Sequence, residues 1–113
     1  MDLELAKLFF PEGIFEYFDI IKYNELSGKI HFYLDEKNIL PDQYKNELAQ
    51  SKGFLDEIII EDFPLRGKEV FLHIKRRRWT LKQSGEIVKR DWGLTAKGMK
   101  MTAEFADFLK GIS

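Results

Sequence analysis

Apolar and polar residues alternate through much of the first third of the chain. Residues 19–25 alternate in this way, and residues 29–34 alternate again, with Ile30, Phe32 and Leu34 on one side. An alternation of period two is typical of strands that bury one face. Ser27 and Gly28 lie between the two runs and favour a tight turn. This part of the chain is therefore predicted to form a β-hairpin.

A second set of strand patterns follows in the middle of the chain. The β-branched run Ile58-Ile59-Ile60 predicts a strand over residues 54–62 that is buried on at least one side. Residues 63–67 contain a proline and a glycine and are predicted to turn the chain into a further hairpin. That hairpin spans residues 64–92, provided that Gln83-Ser84-Gly85 forms its turn.

Helical segments are predicted at three places. The first residues, up to about residue 18, read as two short helical turns that cover a sheet. Pro41 can begin a short helix over residues 41–50, with Tyr44 and Leu48 on one face. Thr102 can cap a helix over residues 102–112, whose apolar positions are Phe105, Phe108, Leu109 and Ile112.

These elements predict an α+β fold, with an antiparallel sheet of about five strands, a basic β-hairpin and helices at both chain ends. With 113 residues and 44% hydrophobic content, residues 1–113 are expected to form a single domain around one core. The predicted core residues are Ile20, Ile30, Phe32, Ile58, Ile60, Val70, Leu72, Ile74, Phe105 and Leu109.

Charge is distributed unevenly along the chain, although the net charge is only −1. Residues 1–63 carry 6 basic and 14 acidic side chains, whereas residues 64–100 carry 11 basic and 3 acidic ones. A local basic face on a nearly neutral molecule favours a polyanionic partner such as nucleic acid. The alternative is that the two halves neutralise each other across the fold.

The basic residues are concentrated in the hairpin over residues 64–92. On a strand, neighbouring side chains point to opposite faces, so the consecutive cations must surround an exposed edge or tip. Guanidinium groups bind phosphate oxygens in pairs, and each cation releases counterions from DNA. The alternative is a solvated hairpin end. The candidate nucleic-acid-binding residues are Lys75, Arg76, Arg77, Arg78, Trp79, Lys82, Lys89 and Arg90.

The two tryptophans of this hairpin allow two interpretations. Each could stack on bases or on an arginine, but tryptophans that face each other across a hairpin more often pack together. Packing is favoured for Trp92, and the two interpretations of Trp79 remain open.

The sequence contains no pattern that indicates catalysis or cofactor binding. It has no cysteine, which excludes disulfides and thiolate zinc sites. His31 and His73 are far apart and have no ligand-spaced carboxylates, so they are interpreted as ordinary strand histidines. Neither a nucleophile motif nor a glycine-rich phosphate loop is present, and no run is long and apolar enough to span a membrane. A cytoplasmic, non-enzymatic protein without cofactor or metal is expected.

Three stretches, DFPLRGKEVFLHIKRRRW, SGEIVKRDW and MTAEFADFL, resemble the N-terminal region of bacterial insertion-sequence transposases. In that family a similar strand leads into an arginine-rich hairpin, then into a helix-turn-helix and a separate DDE catalytic domain. The start, LELAKLFFPEGIFEYFDI, resembles a cysteine-free branch in which this region is a separate short protein. Many relatives carry zinc-ribbon cysteines beside the arginine run, where this chain has residues 80–85 without cysteine.

The resemblance implies a non-catalytic DNA-binding region, whose partners would be the ends of the mobile element and a DDE catalytic subunit. The alternative is a protein-interaction module whose basic face binds an acidic partner such as that subunit. Neither hypothesis requires a small-molecule substrate.

Overall fold

The computed structural model describes residues 2–10 and 13–92. These residues are mostly in strands, with one short α-helix, so the predicted mixed class is confirmed. The helix, α1 (Leu3–Ala6), is capped by Asp2, whose side chain accepts a hydrogen bond from the Glu4 N–H at 2.9 Å. Two 3-10 turns follow, at Lys7–Phe9 and Ile14–Glu16, as expected of short helical turns before a sheet.

Seven strands follow within the described residues: β1 (Phe18–Leu26), β2 (Lys29–Glu36), β3 (Ala49–Phe54), β4 (Ile58–Leu65), β5 (Lys68–Lys75), β6 (Arg77–Leu81) and β7 (Ile87–Lys89). They form a four-stranded sheet of order β1-β2-β5-β4 and a three-stranded sheet of order β3-β6-β7. The single sheet of about five strands that the sequence predicts thus corresponds to the larger of two sheets. No described helix has the length and apolar character needed to cross a membrane.

The first sheet joins two hairpins through its central strands. The predicted hairpin of β1 and β2 is confirmed, and β4 pairs with β5 in the same antiparallel manner. The central pair, β2 and β5, runs parallel, which corrects the prediction of an antiparallel sheet. In this register Phe32 lies opposite Leu72 and Leu34 opposite Ile74. Burial fixes the register, because a shift by one residue would move these side chains from the core to the outer face.

The main core lies on one side of the first sheet. Ile30, Phe32, Val70, Leu72 and Ile74 are buried, which confirms these predictions. The remaining described candidates are partly buried and pack against the same core, namely Ile20, Ile58 and Ile60. The N-terminal turns complete this core with the buried side chains of Ala6 and Ile14. The last two candidates, Phe105 and Leu109, lie outside the described residues, as does the predicted helix over 102–112.

The second sheet has a smaller core of its own. Trp79, Leu81 and Val88 form its buried cluster, and Leu40, Tyr44 and Ala49 pack against them. The predicted turn at Gln83-Ser84-Gly85 is confirmed, since β6 and β7 form an antiparallel hairpin around it. The hairpin does not extend over residues 64–92 as predicted, because β5 pairs with β2 and β4 in the first sheet.

The helix predicted over residues 41–50 is wrong. Only Asp42–Tyr44 forms a 3-10 turn, and the residues from Ala49 onward form β3, which pairs with β6. A helix here would have needed a buried partner for Leu48, but this side chain is 77% exposed. Backbone pairing with β6 and burial of Ala49 therefore outweigh the local helical pattern.

The strand predicted over residues 54–62 is shifted along the chain. Phe54 belongs to β3, and β4 starts at Ile58 and continues to Leu65. Consequently the turn before β5 is limited to Arg66 and Gly67, both with positive φ, at 50° and 80°.

Candidate nucleic-acid interface

The basic run lies where the chain passes from the first sheet to the second. Lys75 ends β5, Arg77 begins β6, and Arg76 is the one residue between them. The Arg76 carbonyl oxygen accepts a hydrogen bond from the Leu55 N–H at 2.8 Å, which holds this connection in place. Because side chains alternate along β6, Arg77 points to one side of the strand and Arg78 to the other.

Arg77 is engaged inside the protein. Its backbone N–H donates to Glu36 Oε1 at 2.9 Å, and its Nε–H donates to the Glu36 carbonyl oxygen at 3.1 Å. A terminal nitrogen donates to Ser51 Oγ at 2.6 Å, and the guanidinium carbon lies 4.5 Å from the centre of the Phe54 ring. These contacts leave Arg77 poorly placed to bind an external phosphate.

Arg90 is also engaged inside the protein. It is 8% exposed, and its Nε–H donates to Glu36 Oε2 at 3.0 Å. A terminal nitrogen donates to the Ile39 carbonyl oxygen. The guanidinium carbon lies 4.8 Å from the ring centre of Tyr17 and 5.6 Å from that of Trp92, in cation–π contact with both. Arg90 thus stabilises the fold through contacts within the protein.

Glu36 is the carboxylate that both arginines share, and it is 1% exposed. It ends β2 in the first sheet, whereas Arg77 and Arg90 belong to or follow strands of the second sheet. Burial raises the pKa of Glu36 above its ordinary value, and hydrogen bonds from Arg77 and Arg90 act in the opposite direction. The three residues form a buried charged contact between the sheets, which sequence reasoning missed because Glu36 lies in an ordinary-looking acidic pair.

Both tryptophans pack inside the protein. Trp79 is 2% exposed, and its Nε1–H donates to Asn38 Oδ1 at 2.8 Å. Trp92 stacks on Phe18 in the main core, with ring centres 5.1 Å apart, which confirms the packing interpretation of this residue. The two rings lie in separate clusters and do not face each other across the hairpin.

The other five predicted cations lie between the end of β5 and the end of β7. The side chains of Lys75, Lys82 and Lys89 are exposed, and those of Arg76 and Arg78 are half-buried. Within the described residues, no salt bridge involves Lys75, Arg78, Lys82 or Lys89.

Arg78 and Lys89 lie directly opposite each other in the β6–β7 pair. The next position on this face is Thr80, opposite Ile87. Arg78 Nε and Thr80 Oγ1 are buried and have no hydrogen-bond partner among the described residues. We call Arg76, Arg78, Thr80 and Lys89 the basic face.

A cleft of about 300 Å³ adjoins the basic face. Arg76 and Lys89 belong to both the cleft and the basic face, and Arg90 lies in the cleft wall. The residues that line it are Gln43, Tyr44, Arg76, Lys89, Arg90, Asp91 and Trp92.

The structure brings together two histidines that the sequence separates. Because β2 and β5 are parallel neighbours, His31 Nδ1 lies 2.8 Å from His73 Nε2, and His73 Nδ1 lies 2.9 Å from Glu57 Oε1. The three groups form a chain of hydrogen bonds on the outer face of the first sheet. Among the residues that the structure describes, no three His, Cys, Asp or Glu side chains are grouped so as to hold a metal ion.

Comparison of the chain with protein-family models, curated proteins and solved structures finds no match.

Proposed function

We propose that the chain is a cytoplasmic, non-catalytic DNA-binding protein that contacts phosphates through the basic face. In this proposal it is the N-terminal or accessory region of an insertion-sequence transposase, as the resemblance in residues 62–92 implies. The observation that carries the proposal is the cross-strand pair of Arg78 and Lys89, which has no acidic partner in the described chain.

Two like charges directly opposite each other in an antiparallel pair are destabilising. The unpartnered Nε–H of Arg78 adds to this cost, since a buried donor without a partner costs about 1–3 kcal/mol. A phosphate group between Arg78 and Lys89 would offset the repulsion between the two side chains, because its negative charge attracts both cations. The arrangement is therefore unfavourable in the free protein and favourable with a bound polyanion.

The proposed contacts are fewer than the sequence predicts. Arg77, Trp79 and Arg90 hold the protein together, so they support the shape of the surface without touching DNA. Lys75 and Lys82 extend the positive charge at the two ends of β6. Cations spread over a sheet surface follow a phosphate backbone more readily than they align with base edges in one groove. We therefore expect binding with little sequence preference.

The second candidate function is an interaction module for an acidic protein such as the catalytic transposase subunit. Ile87 favours it, because this side chain is 53% exposed and lies opposite Thr80, next to Lys89. An exposed aliphatic side chain between cations suits a protein interface better than a phosphate backbone.

The experiment is fluorescence anisotropy of a labelled duplex at several salt concentrations. Arg78→Ala and Lys89→Ala should each weaken binding to a terminal-repeat duplex and to a scrambled one alike. Each should also reduce the slope of log affinity against log salt by about 0.9. Lys22→Ala is the matched control, since it removes one exposed cation from the first sheet and should leave both quantities unchanged.

If wild-type protein shows no salt-dependent affinity for either duplex, direct DNA binding is wrong and the interaction module takes its place. If Arg78→Ala weakens binding only to the terminal repeat, this arginine reads a base edge, and the phosphate assignment fails.

A further inference from the structure

The cleft beside the basic face shares residues with it. Lys89 lies opposite Arg78 on β6 and also lines the cleft, and Arg76 lines it as well. A phosphate held between Arg78 and Lys89 would therefore lie next to the mouth of the cleft. Whatever is covalently attached to that phosphate is within reach of the cleft.

The cleft has a chemistry that differs from that of the basic face. The half-buried ring of Tyr44 contributes aromatic surface, and Gln43 contributes an exposed amide that can both donate and accept hydrogen bonds. Trp92 lies behind them in the main core and only closes the inner wall. Arg90 is paired with Glu36, and the carboxylate of Asp91 offsets one of the two other cations of the lining, Arg76 and Lys89. The lining thus combines aromatic, amide and guanidinium groups, which together suit a flat ring with polar edges.

We propose that this cleft binds a single unpaired nucleobase of a DNA strand whose phosphate lies between Arg78 and Lys89. The inference rests on the proposed function and narrows its ligand to DNA that contains an unpaired nucleotide. Aromatic and polar side chains of this kind bind unstacked bases by stacking or edge contact and by hydrogen bonds to the base edge.

The size and rigidity of the cleft agree with one base. A volume of about 300 Å³ is at the lower limit for small-molecule sites, which is too small for a longer segment. Its inner wall is fixed, because Arg90 is held by Glu36 and the Ile39 carbonyl oxygen and lies over the Trp92 ring. Other lining side chains are exposed to solvent, among them Gln43 and Lys89.

An unpaired nucleotide is the expected substrate because extracting a base from a paired stack has a cost. That cost is lowest for a base that is mismatched or already single-stranded. A fully paired duplex would therefore contact the basic face alone and leave the cleft unused.

The test compares two labelled duplexes of one sequence, the first fully paired and the second with one extra unpaired nucleotide at its centre. Wild-type protein should bind the second about ten-fold more tightly in fluorescence anisotropy. In a third duplex, 2-aminopurine replaces the unpaired base. Its emission should change on binding, whereas 2-aminopurine at a paired position should not respond.

Gln43→Trp should abolish this preference, because the larger side chain fills the cleft, and should leave affinity for the paired duplex unchanged. Asn46→Trp is the matched control, since Asn46 is an exposed polar residue in the same segment that does not line the cleft. Lys82→Ala should lower affinity for both duplexes equally.

The possible failures are distinguishable. If wild-type protein binds both duplexes equally, the base cleft is wrong and the proposed DNA binding stands. If Gln43→Trp still prefers the duplex with the unpaired nucleotide, the base binds outside the cleft, and the inference is wrong. If wild-type protein binds no duplex at all, the proposed function and the inference fall together.

Discussion

At the scale of single residues, three adjacent arginines have different roles. Arg76 lines the cleft and Arg78 lies opposite Lys89, whereas Arg77 donates to Glu36 and Ser51. Within β6, the difference between Arg77 and Arg78 follows from strand alternation, which places neighbouring side chains on opposite faces. Segments distant in the sequence hold Arg77 in this position, because its guanidinium donates to the Glu36 carbonyl oxygen and to Ser51 Oγ, and its backbone N–H donates to the Glu36 carboxylate, 41 residues away.

Glu36→Gln tests the charged contact between the sheets through its pH dependence. Burial raises the pKa of Glu36 in the folded state above the ordinary value of 4.5. In the window above that value the folded state binds more protons than the unfolded state, so the contribution of Glu36 to stability falls as pH rises. The free energy of unfolding of wild type minus that of the variant should therefore decrease as pH is raised through and above 4.5.

Urea denaturation of both proteins at a series of pH values measures this difference. Gln retains the size of the side chain and does not titrate, so the comparison isolates the carboxyl group. A difference that increases with pH would mean that the two guanidinium groups outweigh burial and that the pKa is lowered instead.

At the scale of elements, the β6–β7 hairpin places the basic face and depends on a tight turn. Gly85 adopts φ +75°, and its N–H donates to the Leu81 carbonyl oxygen at 2.7 Å. The Leu81 N–H donates to the Glu86 carbonyl oxygen at 2.8 Å and closes the hairpin. The left-handed conformation of Gly85 is what allows both strands to meet in register.

Gly85→Ala should lower the free energy of unfolding by about 1–2 kcal/mol, the cost of a left-handed conformation for a residue with a Cβ. No atom lies within 4 Å of the added Cβ, so the effect comes from backbone strain alone. Chemical denaturation measures it. Lys82→Ala, an exposed substitution in the same turn, should stay within about 0.5 kcal/mol of wild type. Equal stability of Gly85→Ala and wild type would show that the turn relaxes to another conformation.

At the scale of the whole molecule, two hydrophobic clusters share one chain. The main core contains Trp92, and the smaller core of the second sheet contains Trp79. The two sheets are joined by the one-residue connection at Arg76 and by the buried contacts of Glu36. The prediction of a single domain implies that the two clusters unfold together.

Single-tryptophan variants test whether the two clusters unfold together. The sequence has 2 tryptophans, so Trp79→Phe leaves a reporter in the main core and Trp92→Phe leaves one in the second. In each variant, the tryptophan fluorescence and the far-ultraviolet circular dichroism should give the same denaturant midpoint, because two-state unfolding makes all probes coincide. A fluorescence midpoint that precedes the circular dichroism midpoint would indicate two units that unfold separately.

The sequence by itself determined the features that depend on near neighbours. The β1–β2 hairpin could be predicted because its alternation and its Ser27-Gly28 turn lie within 19 consecutive residues, 18–36. The β6–β7 turn and the buried face of β5 were predictable for the same reason. Period-two burial and turn chemistry are local properties of the backbone, so they can be read without knowing the partners of a strand.

The tertiary structure alone decided the pairings between distant segments. Three features depend on which faces share a core. They are the parallel register of β2 and β5, the start of β3 at Ala49 within the predicted helix over residues 41–50, and the contact of Glu36 with Arg90, 54 residues apart. The same is true of the division of the basic run into structural and exposed cations. Arg76, Arg77 and Arg78 are adjacent in the sequence and differ in the groups that pack against them. Those groups come from distant segments, so they are known only once the chain has folded.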